Sequence, residues 1–295
     1  EFLTSHAEAL RADVAVVSDT SMWGRNVPAI TYALRGLVNF DIELHGPSRD
    51  LHSGVYGGTV ANPATELAIV LSGLFDDNHR ITIDEFYDDV VTLDDAERER
   101  WSDLDFDERD FAESVGLTAL HGEVGYSTLE RRWARPSCDV NGLYGGYAGE
   151  GGKTVIPSFA GAKLSFRLTA RQDPAKIEAA FRTWLEDRTP PGCRWQITQH
   201  GAAHPVIVPT DSAHLAAAQR AIETGCGRTP VLVREGATIP VVSLFKSVLG
   251  VDTLLIGFGL HDDALHSPNE KFELANFDMG CRTHAALLKE LARAT

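Results

Sequence analysis

The sequence predicts an α/β domain that is interrupted by an inserted α+β domain with an antiparallel sheet. Near both ends of the chain, residues 14–17, 231–233 and 254–256 form short continuous apolar runs, which are typical of strands covered on both faces. Between them, apolar and polar residues alternate over 38–44 and 164–168, which is typical of half-buried antiparallel strands. The length of 295 residues is sufficient for two domains.

Helices are predicted to cover both sheets, over residues 62–74, 173–186, 211–221 and 277–294. Asp173 and Pro174 occupy the favoured cap and first-turn positions of the second helix. Asp211 is the candidate cap of the third, and Gly225 lies near its stop. The resulting division assigns residues 1–35 and 209–295 to the α/β domain and residues 36–208 to the inserted domain.

The net charge of −15 is concentrated in one acidic stretch over residues 84–113. Such a surface repels nucleic acid and anionic lipid, so neither is an expected partner. The acids lack the pattern of a calcium-binding loop, and we interpret them as a solvated helical surface on an elaboration of the inserted domain over 76–129. No apolar run approaches the ~20 residues of a membrane helix, no secretory leader opens the chain, and no Cys-x-x-Cys pair occurs, so a reduced, cytoplasmic protein is expected.

The candidate chemistry follows two predicted strands. Asp19 comes after the apolar run 14–17, and His266 lies in the polar loop 257–271 behind the run 254–256. Because open α/β sheets place ligands beyond the carboxyl ends of their strands, this carboxylate and imidazole are candidate ligands of one divalent ion, and the histidine is also a candidate base. Residue type alone leaves alternatives open, since a loop histidine is usually solvated or hydrogen-bonded and Ser-Asp after a strand is usually a turn or helix cap.

Four segments occur in the order found in one peptidase family. They are Asp50-Leu51-His52-Ser53-Gly54-Val55-Tyr56-Gly57-Gly58, Gly151-Gly152-Lys153-Thr154-Val155-Ile156-Pro157, Arg234-Glu235-Gly236-Ala237-Thr238-Ile239-Pro240 and His266-Ser267-Pro268-Asn269-Glu270. In these segments the chain resembles the carnosinase and cytosolic non-specific dipeptidase branch of the aminoacylase-type dinuclear zinc metallopeptidases. The resemblance implies a partial catalytic α/β domain and an inserted lid and dimerisation domain.

The resemblance also implies two zinc ions per full-length subunit, with Mn²⁺ or Co²⁺ as alternative metals, and a water activated by them. Asp19 matches the family's terminal carboxylate ligand and His266 its C-terminal imidazole ligand, each on a different ion. The family's remaining ligands and general base, which include a His-x-Asp and a Glu-Glu pair, have no match. The sequence has no Glu-Glu dipeptide, and its only His-x-Asp, at residues 261–263, lies inside the His266 loop. We therefore expect that an N-terminal part carrying them precedes Glu1.

Five residues match substrate positions of the family. His52 matches the histidine that the partner subunit contributes to stabilise the oxyanion, which implies a homodimer formed through the inserted domain. Arg167 matches the guanidinium that holds the substrate's free carboxylate, while Thr154, Gly236 and Thr238 match positions that bond its carboxylate or carbonyl. Without the resemblance, His52 is typical of a turn histidine bonded to its own loop, and Arg167 of a surface arginine paired with an acid.

The resulting hypothesis is a zinc-dependent hydrolase that cleaves dipeptides or short peptides with a free C-terminal carboxylate. Closure of the lid is expected to exclude water and to bring Arg167 and Thr238 onto that carboxylate. An N-acyl-amino-acid deacylase of the same fold would share every residue named. A catalytically inactive dimerising fragment is the other class of function, because a chain with two metal ligands is expected to bind zinc weakly and to hydrolyse nothing on its own.

Overall fold

The computed structural model describes residues 2–294. Its strands are β1 (Val14–Val17), β2 (Ala29–Leu34), β3 (Gly36–His45), β4 (Leu51–His52), β5 (Ser137–Gly145), β6 (Val155–Ile156), β7 (Phe159–Leu168), β8 (Arg194–Ala203), β9 (Val206–Ile207), β10 (Val231–Glu235) and β11 (Asp252–Leu255). Its α-helices are α1 (Phe2–Ser5), α2 (Ser53–Tyr56), α3 (Pro63–Ser72), α4 (Asp95–Ser102), α5 (Glu108–Ser114), α6 (Thr128–Trp133), α7 (Pro174–Glu186), α8 (Ala213–Cys226), α9 (Pro240–Leu244) and α10 (Leu274–Ala294), and a π-helical turn spans Phe245–Leu249. No helix within the described residues is long and apolar enough to cross a membrane.

The contacts divide the chain into two compact units. Unit 1 comprises the chain up to Leu34, the segment Leu93–Phe106 and the chain from Val206 onwards, and unit 2 comprises Arg35–Thr92 and Asp107–Pro205. The predicted fold class is confirmed, because a mixed α/β unit formed by both ends of the chain is interrupted by a unit with an antiparallel sheet. The two units differ from the sequence-based division over Leu93–Phe106 and residues 206–208, which it assigned to the inserted domain, and at Arg35, which it assigned to the α/β domain.

Strand directions define two edges of the sheet in unit 1. The strand order is β1-β11-β2-β10, with β9 paired to β2. β1 and β11 are parallel to each other, β2 is antiparallel to β11, and β10 is parallel to β2. The carboxyl ends of β1 and β11 therefore share one edge of the sheet, and those of β2 and β10 share the opposite edge.

Helices α8 and α10 pack together in unit 1. The cap and the end of α8 differ from the prediction. Its cap is Ser212 rather than Asp211, because the Ser212 side chain accepts a hydrogen bond from the Leu215 amide. The last helical residue is Cys226, and the next residue, Gly227, caps the helix with a left-handed φ of 73°. Gly225 instead permits close helix packing, since a Cβ there would lie 2.1 Å from Thr283 Oγ1 of α10.

Unit 2 is built on the four-stranded antiparallel sheet β5-β7-β3-β8. Burial alternates strictly along β3, as the alternating sequence pattern predicts. Its buried residues form one core with residues of β7, α3 and α7, namely Val38, Phe40, Ile42, Leu44, Phe166, Leu67, Val70 and Phe181. The two helices thus cover one face of the sheet.

The acidic stretch is not one solvated surface. Helix α4 belongs to unit 1, where Glu97 is 7% exposed and Trp101 is 4% exposed. The interpretation of every acid in the stretch as solvated is therefore wrong for Glu97. The physical reason is an ion pair, because Glu97 accepts a hydrogen bond from the guanidinium of Arg234 in β10.

Candidate active site

The sheet edge at which β1 and β11 end carries the two loops that contain the predicted metal ligands. The Ile256 amide donates to the Val17 carbonyl at 3.1 Å, which continues the pairing of the two strands. Beyond the strands, Ser18 Oγ donates to the Ile256 carbonyl at 2.8 Å, and the Met22 amide donates to the Gly259 carbonyl at 2.9 Å. The segment after β1 and the segment after β11 therefore run side by side.

Gly257 permits this close approach. A Cβ at Gly257 would lie 1.6 Å from the carbonyl oxygen of Thr20, the residue that follows Asp19. No side chain fits at that distance from backbone. Asp19 itself is exposed beside this contact.

The loop that carries His266 is anchored by a buried carboxylate. Asp263 is 1% exposed, accepts from the Leu260 amide at 2.7 Å and pairs with Lys271 Nζ at 2.8 Å. Burial opposes ionisation of Asp263, but Lys271 and the Leu260 amide outweigh it and hold the carboxyl pKa below its ordinary value. His266 is exposed in this loop and has a φ of 59°. Residues other than glycine rarely adopt this left-handed backbone conformation.

A second set of contacts joins the His266 loop to the segment that follows Asp19. Arg25 pairs with Asp262 at 2.7 Å and with Glu273 at 3.2 Å. The indole ring of Trp23 meets the imidazole ring of His261 edge-on, with ring centroids 6.4 Å apart. These exposed ion pairs contribute little stability individually, but together with the backbone bonds they connect the two loops.

The donor chemistry of Asp19 and His266 suits a divalent metal ion, since a carboxylate oxygen and an imidazole nitrogen are both zinc ligands. Within residues 2–294, however, no group of three or more His, Cys, Asp or Glu side chains could hold a metal ion. Catalytic zinc sites use three protein ligands. Asp19 and His266 are therefore suitable types of zinc ligand, but two ligands do not complete a catalytic zinc site.

Gly236 and Thr238 follow the carboxyl end of β10 and lie at the other edge of the unit 1 sheet. The Glu235 carboxylate accepts from the Gly236 amide at 2.7 Å and the Ala237 amide at 3.4 Å. Ile239 then packs into an apolar cluster with Leu255, at the end of β11.

His52 and Thr154 lie together in unit 2. Val155 pairs with His52 in the short sheet of β4 and β6, and Thr154 Oγ1 lies 3.4 Å from His52 Nε2. His52 Nδ1 accepts from the Gly54 amide at 3.0 Å. That bond assigns the ring proton of a neutral His52 to Nε2, so the exposed nitrogen is a hydrogen-bond donor.

Arg167 lies at the opposite end of the unit 2 sheet. It is half-buried on β7 and pairs with Leu37 of β3, whereas Phe159 begins β7 at the other end. The interval from Phe159 to Arg167 corresponds to about 27 Å of strand. Ser158 joins the Phe159 end to the β4 region, because its amide donates to Asp50 at 2.9 Å. One chain therefore does not bring Arg167 together with His52 and Thr154.

One polar cluster of unit 1 was not predicted from the sequence. Tyr32, Glu97 and Arg234 form a hydrogen-bonded group at the end of β10, in which Tyr32 and Glu97 are buried and Arg234 is partly buried. The sequence does contain a signal for this cluster. Leu93, Glu97, Trp101 and Leu104 are spaced through the acidic stretch so that they fall on one helical face, and all four are buried. An acid on an apolar helical face indicates a buried partner elsewhere in the chain.

Comparison with known proteins identifies the family. Residues 32–193, more than half of the chain, match a peptidase dimerisation domain of the M20 type. The chain belongs to the M20 peptidase family. The resemblance stated from the sequence is thereby confirmed at the level of the family.

Relatives in the M20 family include peptidases of yeast, human and archaeal origin. The Cys-Gly metallodipeptidase dug1 of Schizosaccharomyces pombe is 34% identical over 96% of this chain and 60% of its own length. Human Beta-Ala-His dipeptidase is 31% identical over 95% of this chain and 56% of its own length. The crystal structure of an M20 family metallo-carboxypeptidase, Sso-CP2 from Sulfolobus solfataricus, superposes with a TM-score of 0.88 at 29% identity, over 98% of this chain and 65% of that one.

The chain thus spans about 60% of the length of the first of these M20 relatives. Membership of the family implies bound metal ions. The individual site residues named above stay predictions.

Proposed function

We propose that this chain belongs to a metallodipeptidase that cleaves the amide bond of dipeptides with a free C-terminal carboxylate. The observation that carries the proposal is the pairing of the loops after β1 and β11, which bear Asp19 and His266. The similarity to a Cys-Gly metallodipeptidase along 96% of the chain supports it.

Asp19 and His266 would hold the metal, which we take to be two zinc ions in the complete site. Bound zinc lowers the pKa of water toward neutrality and polarises the amide carbonyl. The chain's own contribution is to fix its two donors. The loop contacts through Gly257 and Arg25 set the position of both segments, and His266 has a left-handed backbone conformation with a φ of 59°.

His52 would stabilise the oxyanion that forms when the amide carbonyl is attacked. The bond from the Gly54 amide to Nδ1 leaves the proton of a neutral His52 ring on Nε2, which is the tautomer that this role requires. Thr154, 3.4 Å away, would donate to the same substrate oxygen or orient the ring. Both side chains are exposed and so available to a second molecule.

Arg167 would hold the substrate's carboxylate, together with Gly236 and Thr238. A planar guanidinium binds a carboxylate through two parallel hydrogen bonds, and a glycine at position 236 places no side chain in the way of the substrate. Since a dipeptide is shorter than about 10 Å, it does not bridge the ends of the unit 2 sheet. The His52 and Arg167 that act on one substrate would therefore belong to two chains of a homodimer formed through the dimerisation domain.

One observation favours the inactive dimerising fragment. Among residues 2–294, no set of three metal donors occurs. If the 295 residues act alone, we expect weak zinc binding and no hydrolysis. Measurements on the full natural gene product and on the 295-residue chain separate the two cases.

The substrate requirement is tested with three compounds: Gly-Leu, its C-terminal amide and N-acetyl-leucine. We expect the full gene product to cleave Gly-Leu with added zinc and to lose this activity in chelator. The amide should be cleaved more than about 100-fold more slowly, because it lacks the charge that Arg167 binds. Preferred cleavage of N-acetyl-leucine would indicate a deacylase instead, and equal cleavage of Gly-Leu and its amide would contradict carboxylate recognition.

A further inference from the structure

Residues 93–106 form a strap that is held within unit 1. Its buried positions, Leu93, Glu97, Trp101 and Leu104, are each at most 7% exposed. Their spacing follows one face of α4 and the turn after it. Three of them are apolar, and the charged Glu97 lies between them.

Glu97 binds two partners on the unit 1 sheet. The Tyr32 hydroxyl and the Arg234 guanidinium both donate to its carboxylate, and Arg234 Nε also donates to the Tyr32 hydroxyl at 3.2 Å. The Arg234 guanidinium lies over the Trp101 ring, 5.3 Å from its centroid. Burial raises the pKa of Tyr32 to about 12, so the phenol stays protonated as a donor.

This cluster lies at a bulge in the pairing of β2 and β10. Val233 pairs with Thr31 and Arg234 with Ala33, so Tyr32 is the extra residue of β2. β-Bulges change the direction of a strand and of the side chains that follow it. The residue after Arg234, Glu235, is the last of β10, and the loop that contains Gly236 and Thr238 follows it directly. The position of Arg234 therefore determines where this loop leaves the sheet.

The loop itself is compact. The Glu235 carboxylate accepts from the amides of Gly236 and Ala237, which fixes the first turn of the loop relative to β10. Movement of the β10 end would therefore move the loop with it. Arg234 is attached through its side chain to Glu97 and Tyr32, so these contacts help to fix the end of β10.

The C-terminal end of the strap contacts Trp23, which lies in the segment that follows Asp19. Trp23 Nε1 donates to the Leu104 carbonyl at 2.7 Å, and the rings of Trp23 and Phe106 lie 6.1 Å apart. Trp23 in turn meets His261. One short segment thus touches the end of β10 and the segment that follows Asp19.

We infer that Glu97 is a positioning residue, which fixes Arg234 and thereby holds the Gly236–Thr238 loop in the conformation that receives the substrate's carboxylate. The inference rests on the proposed function for the identity of the substrate. A role in stability alone explains the cluster poorly, because a buried ion pair can often be replaced by well-packed apolar residues of similar volume without loss of stability. A fixed geometry beside a binding loop is what a charged, multiply bonded cluster provides.

The test compares two variants of the full gene product, Glu97→Gln and Glu99→Gln. Glu99 is an exposed acid on the same helix and serves as the control. Hydrogen–deuterium exchange is measured by mass spectrometry for residues 235–239, and steady-state kinetics are measured with Gly-Leu. Glu97→Gln should speed amide exchange in this loop by about tenfold and raise KM roughly 10- to 100-fold, with kcat changed less than about threefold. Glu99→Gln should match the parent in both measurements.

Two further variants separate positioning from general destabilisation. Tyr32→Phe removes both hydrogen bonds of the Tyr32 hydroxyl but keeps the ion pair of Glu97 and Arg234, so its loop exchange should lie between that of the parent and that of Glu97→Gln. Glu97→Gln combined with Arg234→Gln should be no worse than Arg234→Gln alone, because the two residues act as one unit. Unchanged exchange at 235–239 in Glu97→Gln, an unchanged KM, or additive effects in the double variant would overturn the inference. If the parent enzyme cleaves no dipeptide, the proposed function fails while the exchange data still test Glu97.

Discussion

Replacing His266 by glycine should abolish dipeptide hydrolysis and leave the metal-free fold at least as stable as before. The imidazole is the proposed metal ligand, and its loss should lower kcat/KM by more than about 100-fold. The backbone gains instead, because His266 has a φ of 59°, which glycine adopts without strain. When urea unfolding is measured in chelator, so that bound metal contributes nothing, the free energy of unfolding should stay unchanged or rise by up to about 1 kcal/mol.

A matched control lies in the same loop. Ala264 has a φ of 55°, so Ala264→Gly relieves similar strain and removes no metal donor. Urea unfolding, bound zinc measured by mass spectrometry, and Gly-Leu hydrolysis are compared for both variants of the full gene product. Full activity in His266→Gly, or loss of activity in Ala264→Gly to the same extent, would show that the imidazole is not a ligand.

Replacing Gly257 by alanine should destabilise unit 1 by at least about 3 kcal/mol. The new Cβ would lie 1.6 Å from the Thr20 carbonyl oxygen and 2.1 Å from its carbonyl carbon. Both atoms belong to the backbone, so the segments after β1 and β11 would have to separate. Asp19 precedes Thr20, and hydrolysis should therefore fall together with stability.

Gly24→Ala is the control for this substitution, since a Cβ at Gly24 would meet nothing within 4 Å. Its urea midpoint should lie close to that of the parent, with the small change typical of surface sites. A Gly257→Ala protein with a parental midpoint would mean that the two segments are not in the close contact described.

The architecture was predictable from the sequence because its signals are local. Continuous apolar runs identified β1, β10 and β11, and alternation identified β3 and β7. The cap of α8 was placed one residue early, because Asp211 and Ser212 are both good caps and only the hydrogen bond to Leu215 distinguishes them.

The site was predictable only in part, because its decisive features are contacts between distant segments. Glu97 is one acid among many in the sequence, and its burial depends on Arg234 in β10. Likewise, no local pattern indicates that Gly257 lies against Thr20. The separation of Arg167 from His52 follows from the register of β7, which the sequence pattern does not specify.

The central claim is that one active site takes His52 and Arg167 from different chains, and mixing two inactive variants tests it most directly. His52→Ala and Arg167→Ala are each prepared in the full gene product, mixed in equal amounts, and allowed to exchange subunits. Half of the sites in each mixed dimer then regain both residues, so hydrolysis of Gly-Leu should recover to about a quarter of the parental rate. If subunits exchange and the mixture stays as inactive as its components, both residues act within one chain and the account is contradicted.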